Sequence, residues 1–115
     1  VIVSPGASVS QHASVGPGAI VMHGAVVNAG ASVGSNCILN TNAIIEHDAV
    51  LADFCHVSTG AVVNGNASVG EGSFIGSGAV IKEGLSLGEG CVVGMGACVR
   101  HDLGEGGRFP PLQQP

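Results

Sequence analysis

The chain has 115 residues, of which 45% are apolar, enough for the core of one domain. Most of the apolar residues are Val and Ala, Phe occurs three times, Trp and Tyr are absent, and Gly occurs 20 times, so small regular layers are expected rather than an irregular core. Three cations (Lys82, Arg100 and Arg108) against eight acids give a formal charge of -5, which argues against the clustered basic surface that nucleic acids require.

A membrane protein is not expected either. No apolar stretch is long enough to span a bilayer, and no charged segment followed by an apolar one opens the sequence as a leader would. A cytoplasmic protein without membrane contacts is the expectation.

A six-residue repeat begins at Val3. Every sixth residue from Val3 to Val99 is Val, Ile or Leu, at all seventeen positions. Four residues after each aliphatic stands a small residue, Ala eleven times, Cys three times and Ser73 once, with Leu85 and Leu103 as exceptions. The repeat therefore predicts two inward-facing side chains per hexad, one large and one small.

The residue three places after each aliphatic predicts a corner. It is Gly ten times, and otherwise mostly Asn or Asp (Asn36, Asn42, Asn66, Asp48 and Asp102). These residue types tolerate a positive φ, so a sharp left-handed bend is expected in nearly every hexad. Because β-branched residues favour strands, the chain should wind into flat-sided coils whose strands pair in parallel with the next coil.

This pattern resembles the hexapeptide repeat of the left-handed parallel β-helix over residues 3–104, without an insertion. The resemblance implies an all-β triangular prism of nearly six coils, in which residues 18 apart share a column. The left hand is carried over from that family, because general crossover rules favour the opposite hand.

Both ends of the pattern carry expectations. The prism is assigned to residues 1–104 and an irregular tail to residues 105–115, because Gly104–Gly107 suggests a flexible exit and the following Phe109-Pro110-Pro111-Leu112 is too rich in proline to continue a coil. At the other end, residues 1–3 start without a polar cap, so a preceding domain or a partner is expected to cover them.

The four cysteines show no CxxC spacing. Cys37, Cys55 and Cys91 occupy the small inward position, so they are interpreted as buried apolar residues. Disulfide, metal-ligand and nucleophile roles are not expected for them or for Cys98.

The histidines are the candidates for chemistry on so regular a scaffold. His12 and His23 have no acid beside them and are interpreted as exposed or cap-facing. His101 precedes Asp102 and shares a column with His47, but it lies in the last coil, where the wall ends. His47 lies in the middle of the prism and precedes Asp48; a carboxylate bonded to the second nitrogen makes imidazole a better base. A solvated turn histidine remains the plain alternative.

A closer resemblance supports His47. The segments 38–41, 45–48 and 56–58, with Gly65, Gly70 and Gly76, are similar to sugar acyltransferases that include the bacterial UDP-4-amino-sugar N-acetyltransferases of bacillosamine synthesis and the sialic acid O-acetyltransferases. The resemblance implies that His47 is the general base, that Asp48 makes it more basic, and that His56 contacts acetyl-CoA.

Further roles follow from the same resemblance. Ser77 and Met95 would also contact acetyl-CoA, a backbone N–H near Gly65 would stabilise the oxyanion, and Asn40 would position the histidine or the acceptor. The family transfers the acetyl group directly to an amine or hydroxyl of a sugar or UDP-sugar. It is trimeric, with sites between neighbouring prisms, and no metal is involved.

The sequence also departs from the family. The 115 residues are expected to lack the amino-terminal sugar-nucleotide-binding domain of the family, so they specify neither the acceptor nor the choice between N- and O-acylation. The closing Gly-x-Pro-Ala stretch of the family is not reproduced by Phe109-Pro110-Pro111-Leu112, which weakens the match at that end of the cofactor groove.

Two alternatives remain open. A γ-type carbonic anhydrase uses the same prism, but its His-x4-His pair is missing here. A non-catalytic spacer or a truncated remnant is the other.

Overall fold

The computed structural model describes residues 1–111, which form eighteen two-residue strands in three parallel sheets. Within these residues no helix could cross a membrane.

Sheet A contains β1 (Ile2–Val3), β4 (Ile20–Val21), β7 (Ile38–Leu39), β10 (His56–Val57), β13 (Phe74–Ile75), β16 (Val92–Val93) and β18 (Arg108–Phe109). Sheet B contains β2 (Ser8–Val9), β5 (Val26–Val27), β8 (Ile44–Ile45), β11 (Val62–Val63), β14 (Val80–Ile81) and β17 (Cys98–Val99). Sheet C contains β3 (Ser14–Val15), β6 (Ser32–Val33), β9 (Val50–Leu51), β12 (Ser68–Val69) and β15 (Ser86–Leu87).

The chain is a left-handed parallel β-helix of about six turns, as predicted. The three sheets are the faces of a prism that measures 45 × 21 × 21 Å. Three corners join the faces: corner AB between sheets A and B, corner BC between sheets B and C, and corner CA between sheets C and A. Residues 18 apart lie in register on one column, as His56 does with Ile38 and Phe74.

The core is the bore of the prism. The second residue of each strand points inward together with the small residue before the strand, so Ile45, Val63 and Ala49 are fully buried. Removing these apolar surfaces from water in every coil is what stabilises so thin a molecule. The predicted large and small inward positions are therefore confirmed. Cys37, Cys55 and Cys91 are buried among them as free thiols, as expected.

Most of the predicted left-handed corners are also present, with Gly6 and Asp102 as the exceptions. Asn36, Asn42, Asp48 and Asn66 have φ between 58° and 61°, and nine of the ten corner glycines are positive as well. Phe54 is the unexpected member, because it has a φ of 60° although its bulky side chain is disfavoured in that conformation.

The last coil is shorter than the others. Leu103 bridges Leu87, sixteen residues away, and Phe109 pairs with Val93 at the same separation. The structure thus differs from the expected irregular tail after residue 104, because Arg108–Phe109 is a strand of sheet A. The loss of two residues at the corner moves Leu103 from the small position to a large inward position. Leu112 lies outside the described residues.

Corner CA contains a column of side-chain donors in the bore. Each thiol or hydroxyl lies 3.1–3.2 Å from a backbone carbonyl of the next coil: Cys37 with Ala52, Cys55 with Gly70, Ser73 with Gly88, and Cys91 with Gly104. Ser73 Oγ also accepts the backbone N–H of Cys91 at 3.1 Å. Among residues 1–111 the Ala52 and Gly88 carbonyls have no backbone donor, so Ala in place of Cys37 or Ser73 would leave them unpaired, whereas the Gly70 and Gly104 carbonyls also accept a backbone N–H.

Candidate active site

His47 and Asp48 form a pair at corner BC, in the middle of the prism. His47 Nδ1 lies 3.3 Å from Asp48 Oδ2, and the two side chains are 61% and 59% exposed. The left-handed φ of Asp48, 61°, turns its carboxylate along the prism axis onto Gly30 of the preceding coil. The carboxylate can accept a hydrogen bond from Nδ1–H, which leaves the lone pair of Nε2 free.

The imidazole of His47 lies over Gly65 of the next coil. A Cβ built on Gly65 would stand 2.5 Å from Nε2 and 2.6 Å from Cε1 of the ring, so only glycine leaves this space for the imidazole. The ring buries Gly65. Within residues 1–111 the Gly65 N–H donates no hydrogen bond.

Corner AB holds three of the other predicted site residues. Asn40 is half-buried, and its Oδ1 accepts the N–H of Thr41 at 2.7 Å, so its carbonyl is used locally. Ser77 is exposed, and Met95 is 81% exposed in the next coil. The Ser77 carbonyl accepts the N–H of Gly96 at 2.8 Å, so Ser77 and Met95 lie one coil apart on one column.

His56 lies on the outer side of sheet A. Its ring packs edge to face with Phe74, with centroids 5.1 Å apart. Its Nε2 is buried and has no hydrogen-bond partner among residues 1–111. A buried unpaired ring nitrogen is destabilising by about 1–3 kcal/mol.

The predicted site residues are therefore not gathered by one chain. His47, Asp48 and Gly65 lie at corner BC, while Asn40, Ser77 and Met95 lie at corner AB. His56 lies on face A, which is the face opposite corner BC. In one copy of the chain, the predicted base His47 is therefore separated from the residues predicted to bind the donor.

Glu46 is a neighbour of the pair that the sequence did not single out. Its Oε2 accepts a hydrogen bond from Asn28 Nδ2 at 3.1 Å, one coil away on the same column. Its place directly before His47 was visible in the sequence, but the partner is revealed only by the 18-residue register.

The second His-Asp pair does not reproduce the first. Asp102 Oδ1 accepts the backbone N–H of Ser86 at 2.8 Å, so this carboxylate holds the shortened last coil. His101 packs against Phe109, with ring centroids 5.8 Å apart.

The remaining histidines lie away from His47. His23 covers Gly6 at corner AB, and His12 lies 3.4 Å from the Gln11 side chain. An open, mainly apolar cavity of about 300 Å³ is lined by Ile2, Ser4, Ile20, Val21, Met22 and His23, at the other end of the prism from Met95.

The buried thiols are unsuited to act on a substrate. Hydrogen bonding with Cys55 lowers the pKa of Cys37 to about 7, and the same contact together with burial raises the pKa of Cys55. Both residues are at most 1% exposed, so neither is reached from solvent. Among residues 1–111 no three His, Cys, Asp or Glu side chains are grouped so that they could hold a metal ion.

Comparison with known proteins adds a family and several structures. Residues 66–101 match the family model described as bacterial transferase hexapeptide (six repeats). No curated protein sequence matches the chain.

Three solved structures illustrate the similarity. The acetyltransferase domain of PglB from Neisseria gonorrhoeae FA1090 is 40% identical, with a TM-score of 0.91, over 92% of this chain and 52% of that one. PerB from Caulobacter crescentus in complex with CoA and GDP-perosamine is 37% identical, with a TM-score of 0.88, over 90% and 50%. WeeI from Acinetobacter baumannii AYE is 28% identical, with a TM-score of 0.87, over 92% and 52%. The chain thus spans about half the length of these proteins.

Proposed function

We propose that this chain, which belongs to the hexapeptide-repeat family, is the β-helix of an acetyl-CoA-dependent acyltransferase that acetylates a nucleotide-linked sugar. The observation that carries the proposal is the exposed His47-Asp48 pair, with Nδ1 toward the carboxylate and the ring over Gly65 of the next coil. The amine is the favoured acceptor, with a hydroxyl as the second candidate.

The solved relatives support the donor and the acceptor class. The PglB domain was also solved in complex with acetyl coenzyme A. Perosamine N-acetyltransferase from Caulobacter crescentus was solved as two histidine variants, each with CoA and GDP-perosamine. We extend these ligands to this chain as an acetyl donor and a nucleotide-sugar acceptor.

The proposed reaction is a direct transfer. Nε2 of His47 accepts a proton from the acceptor amine as the nitrogen lone pair attacks the thioester carbonyl of acetyl-CoA. Asp48 accepts the hydrogen bond from Nδ1–H and stabilises the imidazolium that forms. The Gly65 N–H is available to the oxyanion of the tetrahedral intermediate. The C–S bond then breaks, the leaving CoA thiolate takes the proton from Nε2 of His47, which restores the base, and the N-acetyl sugar is released.

The proposed donor site combines a polar contact with an extended wall. We assign to His56 a contact with the bound donor, as the resemblance implies. Ser77 and Met95, stacked on one exposed column, fit an extended pantetheine chain running along the prism. Asn40 is placed beside this column, and we assign it a positioning role.

We further propose a homotrimer, because the residues assigned to one site lie at two different corners. A twofold dimer joins the same surface of both subunits, whereas a contact between two different surfaces closes into a ring. The smallest such ring has three subunits, so we propose a trimer. Because the donor and acceptor are metabolites of the cytoplasm, we place the reaction there, in a bacterial cell.

A thiol-release assay tests the function. Acetyl-CoA is mixed with UDP- and GDP-linked amino sugars and with sialic acid. The acceptor is used at millimolar concentration, because the chain spans about half the length of its relatives and weak acceptor binding is expected. His47→Ala is expected to lower the rate by roughly 10²- to 10⁴-fold with the fold retained. His101→Ala is the matched control, because that histidine also precedes an aspartate.

Equal rates for wild type and His47→Ala would show that His47 is not the general base. Absence of turnover with every acceptor would favour a non-catalytic scaffold, and bound zinc with CO₂ hydration activity would favour the carbonic anhydrase alternative.

A further inference from the structure

We infer that corner CA lies on the threefold axis of the homotrimer and that the Phe54 side chains of the three copies pack together there. This inference rests on the proposed function, because it uses the places of the assigned site residues. It adds an interface residue and an orientation for the prism.

The orientation follows from the corners. Around a threefold axis each prism turns one corner to the axis, and the two faces that meet there turn toward the neighbours. The cleft between two neighbours is then bordered by one remaining corner of each copy. His47 lies at corner BC, and Ser77 and Met95 lie at corner AB. A cleft between those two corners leaves corner CA for the axis, and it places His56 on a face turned toward the neighbour.

Phe54 gives independent support at that corner. Its side chain is 59% exposed, and its φ of 60° places a bulky residue where the other described left-handed corners hold Gly, Asn or Asp. Both features are unfavourable in an isolated chain. Apolar surface from a second and third copy would bury the ring and offset the strain.

The two faces that meet at corner CA are complementary in size. The outward residues of face A are mostly large: Ile20, Ile38, His56, Phe74 and Val92. The outward residues of face C are mostly serine: Ser14, Ser32, Val50, Ser68 and Ser86. Small side chains allow the large ones of a neighbouring copy to approach closely, so face A of one copy fits face C of the next.

The competing arrangement places corner AB on the axis. Face B is also apolar on its outside, with Val26, Ile44, Val62 and Val80. That packing would place Ser77 and Met95 at the axis, away from every copy of His47. A third arrangement, with corner BC on the axis, would enclose His47 itself.

Cysteine crosslinking separates the three arrangements. Phe54→Cys, Asn42→Cys and Asn66→Cys place a thiol at corners CA, AB and BC respectively, at matched exposed positions with φ of 59° to 61°. All three are made in a Cys98→Ser background, which removes the exposed native thiol. Three Phe54 rings packed at the axis hold the Cα atoms of position 54 farther apart than the roughly 4.4–6.8 Å of a disulfide, so a flexible bismaleimide with a reach well below the 21 Å width of the prism is used to join the thiols. Thiols at off-axis corners are separated by more than that width.

The expected result is that the bismaleimide converts only Phe54→Cys into covalently linked dimers, up to about two-thirds of the chains, because one reagent joins two of the three thiols at a threefold axis. Crosslinking through Asn42→Cys or Asn66→Cys, or no crosslinking through Phe54→Cys, would overturn the inference. A wild type that sediments as a monomer at micromolar concentration would do so as well.

A second variant tests Phe54 as an anchor. Phe54→Asn keeps a residue that tolerates the left-handed corner, so the coil should persist while the trimer dissociates at a concentration at least roughly tenfold higher. Unchanged sedimentation would contradict the role of the ring.

The thiol-release assay on the same proteins separates the two proposals. Loss of turnover in His47→Ala together with crosslinking through Asn42→Cys would leave the function standing and reject the orientation. Crosslinking through Phe54→Cys in a chain without turnover would do the reverse.

Discussion

The substitution Gly65→Ala should displace the imidazole of His47 while leaving the coil intact. Gly65 is not among the residues with positive φ, so alanine fits its backbone without strain. The new Cβ would stand 2.5 Å from Nε2, whereas ordinary contact begins near 3.4 Å. The ring must therefore retreat by about 1 Å, and a misplacement of that size costs roughly 10²-fold in rate.

The free energy of unfolding should change little. The His47 side chain is 61% exposed, so the ring can swing into solvent at little cost. A compatible Gly→Ala exchange itself stabilises by about 0.4–1 kcal/mol through the unfolded chain. We therefore expect kcat to fall by roughly 10²-fold while the melting temperature shifts by less than about 4 °C.

Steady-state thiol release and thermal unfolding, measured on the same preparations, check this prediction. Gly104→Ala is the control, because its added Cβ meets open space and its φ is not positive. In a His47→Ala background, Gly65→Ala should have no further effect on the rate. A rate within twofold of wild type would refute the reasoning, as would a loss of rate explained by unfolding.

Three further substitutions test the pair and the bore. Asp48→Asn keeps a residue that tolerates φ of 61° but removes the charge opposite Nδ1, so kcat should fall by roughly 10- to 100-fold in the thiol-release assay, with an unchanged urea midpoint. Ser73→Ala leaves the Gly88 carbonyl and the Cys91 N–H without their side-chain partner and should lower the free energy of unfolding by about 1–3 kcal/mol, with partial recovery in Ser73→Cys. Ile45→Ala opens a cavity in the fully buried bore and should cost about 2–5 kcal/mol in urea unfolding, against near-neutral substitution of an exposed serine on face B such as Ser8.

The bore and the corners could be predicted because each is fixed by local chemistry. An inward position such as Ile45 must be aliphatic in every coil, and a corner such as Asn42 must tolerate a positive φ. Both requirements recur every six residues, so the period is visible in the sequence. The columns follow once three hexads are assigned to a coil.

The last coil could not be predicted by counting. Its register is set by hydrogen bonds between β16 and β18, and these allow the corner to lose two residues. The only sign of that change in the sequence was Leu103, a large residue at a position where the repeat has a small one. Phe54 in a left-handed corner was also unforeseen, because nothing local favours it.

The six-residue period was enough to predict that the site residues lie at different corners. It was not enough to predict the side-chain contacts of the site. The spacing of His47 and Ser77 is not a multiple of 18, so they cannot share a column. The bond between His47 and Asp48, and the ring over Gly65, depend on side-chain rotamers that no repeat specifies. The assigned roles of His56, Ser77 and Met95 stay predictions until they are tested.

Because Ser77 and Met95 are stacked one coil apart, the number of coils determines the length of the proposed donor groove. In a parallel ladder each added coil advances the wall by about 4.8 Å without turning any side chain to another corner. Duplicating one 18-residue coil beyond the level of His47 would lengthen the groove by that step while leaving the base unchanged. Coil number thus offers a means of matching the scaffold to donors with longer arms.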